Sequence, residues 1–343
     1  MTLSEIAETL VGGRKGLLAM DESIPTCNKR LASVGVAGTE AQRRAWRDLI
    51  VTTPELGSCI SGAILADETI RQTTLDGRPF VRAIDEAGII VGIKVDLGAK
   101  DMAGFAGETI TEGLDGLRGR FAEYAALGAR FAKWRAVIAI GDGLPSRGCI
   151  EANAHALARY AALAQEAGLV PIVEPELLMT GSHTLEQCAA ATEAVLSSVF
   201  EQLATGRVAL DGMILKPNMV LPGLDAAEQD PVDVVARATI ACLLHVVPAD
   251  VAGIAFLSGG QSGELASARL AAINAIAAAR YTRVPWPLTF SFARAIQWPA
   301  LQIWAGRDAS LGSAQRALLK RAKCNRAALV GSYGVTMELK SAS

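Results

Sequence analysis

The sequence predicts an α/β fold: a (β/α)8 TIM barrel forming a single domain with a flexible C-terminal tail. Eight short runs of apolar and β-branched residues alternate with longer Ala-, Leu-, Glu- and Arg-rich segments of helical period, each unit taking about 30–45 residues. Polar residues also recur at the C-terminal ends of those runs. A doubly wound sheet is the alternative, but it usually carries fewer strands and a Gly-rich fingerprint in its first turn. Gly141-Asp-Gly143 lacks the third glycine of that fingerprint.

In chain order, strands are predicted over residues 16–21, 61–67, 89–96, 129–134, 170–174, 212–216, 253–258 and 288–291. Each is too short for a helix and is dominated by Val, Ile, Leu, Phe, Ala or Gly until a polar residue closes it. The sixth ends at Lys216, and Pro217 forbids an ordinary central strand from continuing. Helices are predicted over 151–167, 184–204, 233–246 and 262–279; the last has Leu265, Leu270, Ile273 and Ile276 at three-and-four-type spacing. After Lys320 the pattern dissolves into a polar, Gly- and Ser-containing stretch, so residues 1–320 are assigned to the barrel and 321–343 to the tail.

Composition narrows the function. The 343 residues carry a net charge of −2 with a pI near 6.0, so no basic excess exists to neutralise nucleic-acid phosphates. No apolar run is long enough to span a bilayer, and Met1–Glu8 has no signal-peptide pattern. The six cysteines are scattered without a C-x-x-C pair, which fits reduced core thiols in a cytoplasmic protein, with disulfides the minor reading. His155, His183 and His245 have no H-x-x-x-H spacing, so no metal is expected at the catalytic centre and no cofactor is invoked.

In a barrel the strand ends share one face, and there the sequence gathers Asp21, Asp67, Lys94, Lys133, Glu174, Lys216, Ser258 and Ser291. Residues two apart in a strand project to one side, which adds Asp96, Arg135 and Glu176. A lysine closing an apolar strand is costly to desolvate, so Lys216 is either paired or a nucleophile with a depressed pKa. Lys133 is the cation expected to hold it neutral, while Glu174 and Glu176 should repel each other and raise one apparent pKa. The alternative is that Lys133–Glu174 and Lys216–Glu176 are structural salt bridges.

Two anion pockets are also indicated. Ser258-Gly259-Gly260-Gln261-Ser262 follows a strand and opens a helix, where backbone N–H groups and the helix N-terminus favour an anion. Ser291 and Arg294 add a hydroxyl and a guanidinium after the last strand. Lys29 and Arg30, beside Asp21, Glu22 and Ser23, form a second basic group. Two cationic pockets around one lysine suggest a substrate with a phosphate at each end.

The blocks Leu18-Ala-Met-Asp-Glu-Ser23, Gly92-Ile-Lys-Val-Asp96, Gly113-Leu-Asp-Gly116, Phe131-Ala-Lys-Trp-Arg135, Val170-Pro-Ile-Val-Glu-Pro-Glu176, Leu215-Lys-Pro-Asn-Met219 and Phe256-Leu-Ser-Gly-Gly-Gln-Ser262 resemble class I, metal-independent fructose-bisphosphate aldolases. The resemblance implies that Lys216 forms a Schiff base with the C2 ketone and that Glu174 is the general acid/base. It further implies that Asp21 orients the cleaved bond, Lys133 steers carbinolamine chemistry and Glu176 supports. Ser258, Gly259, Gly260, Ser291 and Arg294 match residues holding the C1 phosphate, with Ser23, Lys29, Arg30 and Arg135 near the C6 end. Lys94 resembles a supporting or phosphate-proximal lysine. The implied ligand is a phosphosugar and the implied assembly a homo-oligomer, with a tetramer usual in the family.

Two departures accompany the resemblance. Animal members end in a tyrosine that assists proton exchange, whereas this chain ends in Ser343 and Tyr333 stands too early to match it. Ala293 stands where many members have glycine before the arginine, and it keeps a backbone N–H for phosphate. The remaining enzymatic alternative is another Schiff-base aldolase or transaldolase; the non-catalytic one is a barrel scaffold that only binds.

Overall fold

The computed structural model describes residues 1–279 and 284–339. Eight parallel strands close into a barrel: β1 (Gly16–Met20), β2 (Ile60–Leu65), β3 (Ile90–Lys94), β4 (Phe131–Ile138), β5 (Val170–Leu177), β6 (Ile214–Leu215), β7 (Gly253–Phe256) and β8 (Leu288–Phe292). Each pairs with its sequence neighbour and β8 closes on β1, with Leu17 beside Ser291. Helices between the strands cover the outside.

Alternation along the strands builds two cores. Outward side chains meet the helices; Trp134 stacks on Tyr160 with ring centroids 5.6 Å apart. Inward side chains form a separate apolar plug of Leu17, Ala19, Ile64, Phe131, Val170, Ile172, Ile214 and Ala255. The helix Leu3–Val11 closes the plug from below with Ile6, Ala7, Leu10 and Val11. Thr2 and Glu5 form a capping box at its start, at 3.2 and 2.7 Å. Phe131 needs small neighbours: a Cβ at Gly92 would fall 2.2 Å from its ring.

The strand boundaries shift for identifiable reasons. β4 and β5 run to Ile138 and Leu177 because they stay in register through eight residue pairs. β6 is only two residues long, since Leu210–Gly212 is a 3-10 turn, yet Lys216 N–H still reaches Val173 O at 2.8 Å. Asp67 begins the helix Asp67–Ile70 rather than ending a strand.

The boundary expected at Lys320 falls inside the helix Leu311–Leu329. Its polar residues misled the pattern because several are buried by hydrogen bonds. Arg321 contacts Glu338 at 2.6 Å and Ser267 Oγ at 2.7 Å, while Asn325 Oδ1 accepts from Ser267 Oγ at 2.6 Å. The last residues, 340–343, lie outside the described residues.

Phe131→Ala should destabilise the protein by about 3–5 kcal/mol, because the closed plug cannot collapse around the lost ring. Urea unfolding followed by circular dichroism checks this; a loss below about 1 kcal/mol would show that the plug does not hold the barrel.

Candidate active site

Two residues above the plug, the inward positions change from apolar to charged. Leu17 and Ala19 lead to Asp21, Phe131 to Lys133, Val170 and Ile172 to Glu174, and Ile214 to Lys216. Asp21, Lys133, Glu174 and Lys216 are all nearly inaccessible to solvent. They form one chain of ion pairs: Asp21 Oδ2 to Lys133 Nζ at 2.9 Å, Lys133 Nζ to Glu174 Oε2 at 2.9 Å, and Glu174 Oε1 to Lys216 Nζ at 3.1 Å.

This arrangement assigns the protons. Burial disfavours the Lys133 ammonium, but Asp21 and Glu174 outweigh it and raise its pKa far above the ordinary lysine value. Lys216 moves the other way: burial lowers its pKa, Lys133 lowers it further, and Glu174 opposes both. Burial works against ionised Asp21 and Glu174 as well, yet the Lys133 and Lys216 ammonium groups bring both carboxyls below their ordinary range. The Lys216–Glu176 bridge of the alternative reading is not formed; Glu176 instead pairs with Arg135. Burial, aided by the charge on Glu174, raises the Glu176 pKa against Arg135. The raised carboxyl is thus Glu176, and Glu174 is the lowered one.

The chain of ion pairs lies in a cavity of about 390 Å³. At one end the turn over residues 258–261 holds Gly259 and Gly260 at φ 53° and 83°, conformations glycine adopts without a Cβ clash. Beside it Ser291 Oγ is buried and has no hydrogen-bond partner among the described residues. Arg294 Nη2 donates to Gly260 O at 2.6 Å. Ala293 sits at φ −107°, outside the left-handed region, so the position does not require glycine.

At the other end Ser23 begins the helix Ile24–Ala32 as its N-cap, and Arg30 pairs with Glu22. Buried Arg47 holds the second Glu22 oxygen at 2.7 Å. Lys94 folds back onto Asp96, 2.6 Å from Oδ1.

Of the residues singled out from sequence at the strand ends and anion pockets, all but Lys29, Asp67, Gln261 and Ser262 line this cavity. Lys29 is exposed on its helix, and Asp67 is exposed and paired with Arg71 at 2.9 Å. Tyr333 is also elsewhere, donating to Glu338 Oε1 at 2.9 Å. Thr26 and the anchoring role of Arg47 were missed; Arg47 gives no signal, since it reads as one more charge on the amphipathic helix Glu40–Val51.

The family model for class-I fructose-bisphosphate aldolase matches residues 2–343. A probable fructose-bisphosphate aldolase class 1 from Xanthomonas axonopodis pv. citri is 52% identical over 332 residues, 96% of this chain and 98% of that protein. The cytosolic fructose-bisphosphate aldolase 6 of Arabidopsis thaliana is 50% identical, over 93% of this chain and 88% of its own. A solved structure of fructose-bisphosphate aldolase from Plasmodium falciparum superposes with a TM-score of 0.94 at 43% identity, covering 97% of this chain and 95% of that one.

Lys133→Met removes one of the influences that lower the Lys216 pKa, so that pKa should rise and the neutral fraction at a given pH should fall. The pH profile for Lys216 labelling by an amine-reactive reagent should therefore move to higher pH. A profile that stays in place would mean that burial alone sets the amine's proton affinity.

Proposed function

This chain belongs to the class I fructose-bisphosphate aldolase family, and from that premise we propose that it cleaves fructose 1,6-bisphosphate reversibly through a Schiff base on Lys216. The products are dihydroxyacetone phosphate and glyceraldehyde 3-phosphate. The observation that carries the reading is the Lys216–Glu174 contact of 3.1 Å, backed by an ammonium on Lys133 that does not titrate near neutrality.

The chemistry follows from one mobile proton. Passing it from Lys216 to Glu174 leaves a neutral amine and a carboxylic acid, so the nucleophile and the general acid are armed together. The amine adds to the C2 carbonyl. Glu174 then protonates the carbinolamine hydroxyl, which leaves as water and gives the iminium. As a carboxylate again, Glu174 takes the C4 hydroxyl proton while the C3–C4 bond breaks. The bond's electrons flow into the iminium to form a neutral enamine, and the aldehyde departs. Protonation at C3 and hydrolysis release the second product and restore Lys216.

The other roles follow the same lines. Lys133 supplies fixed positive charge beside the carbinolamine oxygen, and Asp21 and Glu176 hold Lys133 and Arg135 in place. Ser258, Gly259, Gly260, Ser291 and Arg294 receive the C1 phosphate; Ser23, Arg30, Lys94 and Arg135 face the C6 phosphate. Location in the cytoplasm is part of this reading, supported by the relatives named cytosolic. So is assembly as a homo-oligomer, expected to be a tetramer, which light scattering on the purified protein tests.

Borohydride added to the protein with fructose 1,6-bisphosphate should trap an adduct on Lys216, mapped by mass spectrometry and insensitive to a chelator. A folded protein that yields no adduct would overturn the proposal. Lys216→Met should abolish turnover, and Glu174→Gln should cost about 10²–10⁴ in kcat. An unchanged rate in the glutamine variant would move the acid/base role to another group. A bisphosphate should be cleaved far better than the corresponding monophosphate, and equal rates would favour a different phosphosugar aldolase.

A further inference from the structure

Four arginines are buried among the described residues: Arg43, Arg47, Arg269 and Arg321. Three of them have a carboxylate in contact: Arg43 with Glu68, Arg47 with Glu22, and Arg321 with Glu338. Arg269, only 2% exposed, has no ion pair among the described residues. Its Nε has no hydrogen-bond partner there either. Its side-chain bond is Nη1 to Gln261 Oε1, at 2.9 Å.

A guanidinium does not lose its proton in proteins, so this charge persists inside the molecule. Burial works against it, and Asp230 opposes that effect from beyond contact distance. Stability alone does not account for such a group, because an apolar side chain of similar volume would fill the space without desolvating a charge. The location supplies the missing reason. Arg269 lies on the helix Gly263–Ala277, directly behind the turn over residues 258–261, whose Gly259 and Gly260 face the cavity. Gln261 closes that turn through its N–H to Ser258 O at 3.0 Å. Its amide nitrogen points at Met219 Sδ, 3.7 Å away and three residues past Lys216.

We propose that Arg269 is a positioning residue for the C1 phosphate, its buried charge standing behind the glycine turn and matched by the anion once substrate is bound. Gln261 fixes the guanidinium at the back of the turn while Arg294 and Ser291 meet the phosphate from the front. The inference rests on reading that end of the cavity as the phosphate seat.

Inhibition of cleavage by inorganic phosphate, measured with KM and kcat for the bisphosphate, tests the inference in Arg269→Met, Arg269→Gln and Arg294→Gln. Glutamine at position 269 removes the charge while keeping a group able to bond Gln261. Both Arg269 variants should raise the phosphate inhibition constant and KM about tenfold, the scale of two unit charges acting across about 12 Å at an effective dielectric of about 20. Their kcat should change far less. If Arg269→Gln binds phosphate as the parent does while Arg294→Gln binds it weakly, the charge of Arg269 has no such role. If neither position matters to phosphate, the seat itself is misassigned and the inference falls with it. Should Arg269→Met fail to fold, the glutamine variant decides the question alone.

Discussion

A buried ammonium between two buried carboxylates is the constraint on which the site depends. Lys133 touches Asp21 from the end of β1 and Glu174 from β5, both at 2.9 Å. None of the three would be tolerated alone, and breaking such a pair typically costs about 3–5 kcal/mol because the remaining charge is left uncompensated. The triad therefore fixes three separate strands relative to one another. It also fixes their protonation: Lys133 is driven up and Asp21 down, so neither titrates near neutrality. Within the chain of four, the one labile proton lies between Glu174 and Lys216. Burial and Lys133 push it off the amine, and Glu174 draws it back. A proton balanced in this way can be moved by substrate without a large change in either group.

The barrel makes such a triad possible by the order of its layers. Below the charges, Leu17, Phe131, Ile172 and Ile214 fill the interior and exclude water from beneath. Above them the cavity opens. This order was legible in the sequence, because period-two alternation puts Phe131, Lys133 and Arg135 on one side, as it does Ile172, Glu174 and Glu176. The eight strands were legible for the same reason: most are short apolar runs closed by a residue that apolar packing would not select. The glycine turn after β7 could be recognised from its place before a helix, since a helix start needs a cap and Ser262 supplies it, accepting from Leu265 N–H at 3.2 Å.

Sequence reasoning was weaker wherever the answer depended on which of several partners a charge chose. Glu176 takes Arg135 rather than Lys216, and strand spacing alone cannot decide between two cations on neighbouring strands. Lys29 and Arg30 are adjacent in sequence, yet only Arg30 turns inward, held by Glu22, whose other oxygen is held by Arg47 from a different helix. Past Lys320 the difficulty was opposite in kind. Buried Arg321 and Asn325 read as surface residues because their partners Glu338 and Ser267 are distant in sequence. Arg269 is the extreme case, since a lone arginine on an amphipathic helix normally faces water.

The two ends of the cavity differ in how their charges are committed, and the difference fits the order of events. At the glycine-turn end the donors are unmatched among the described residues: Ser291 Oγ has no partner there, Arg294 bonds a neutral carbonyl, and Arg269 has no ion pair. A phosphate there needs no existing ion pair to break, so that end is preorganised. At the far end Arg30 and Arg135 are already paired with Glu22 and Glu176. A phosphate arriving there must exchange partners, and its departure lets both pairs re-form. In the proposed reaction the rigid seat would lie next to the carbon that Lys216 attacks, because C2 adjoins the C1 phosphate and must be held through bond making and breaking. The exchangeable seat belongs to the half of the sugar that leaves first. In that proposed reaction, re-formation of the Arg30–Glu22 and Arg135–Glu176 pairs would offset the loss of its phosphate contacts, with the enamine anchored above Lys216 by the other end.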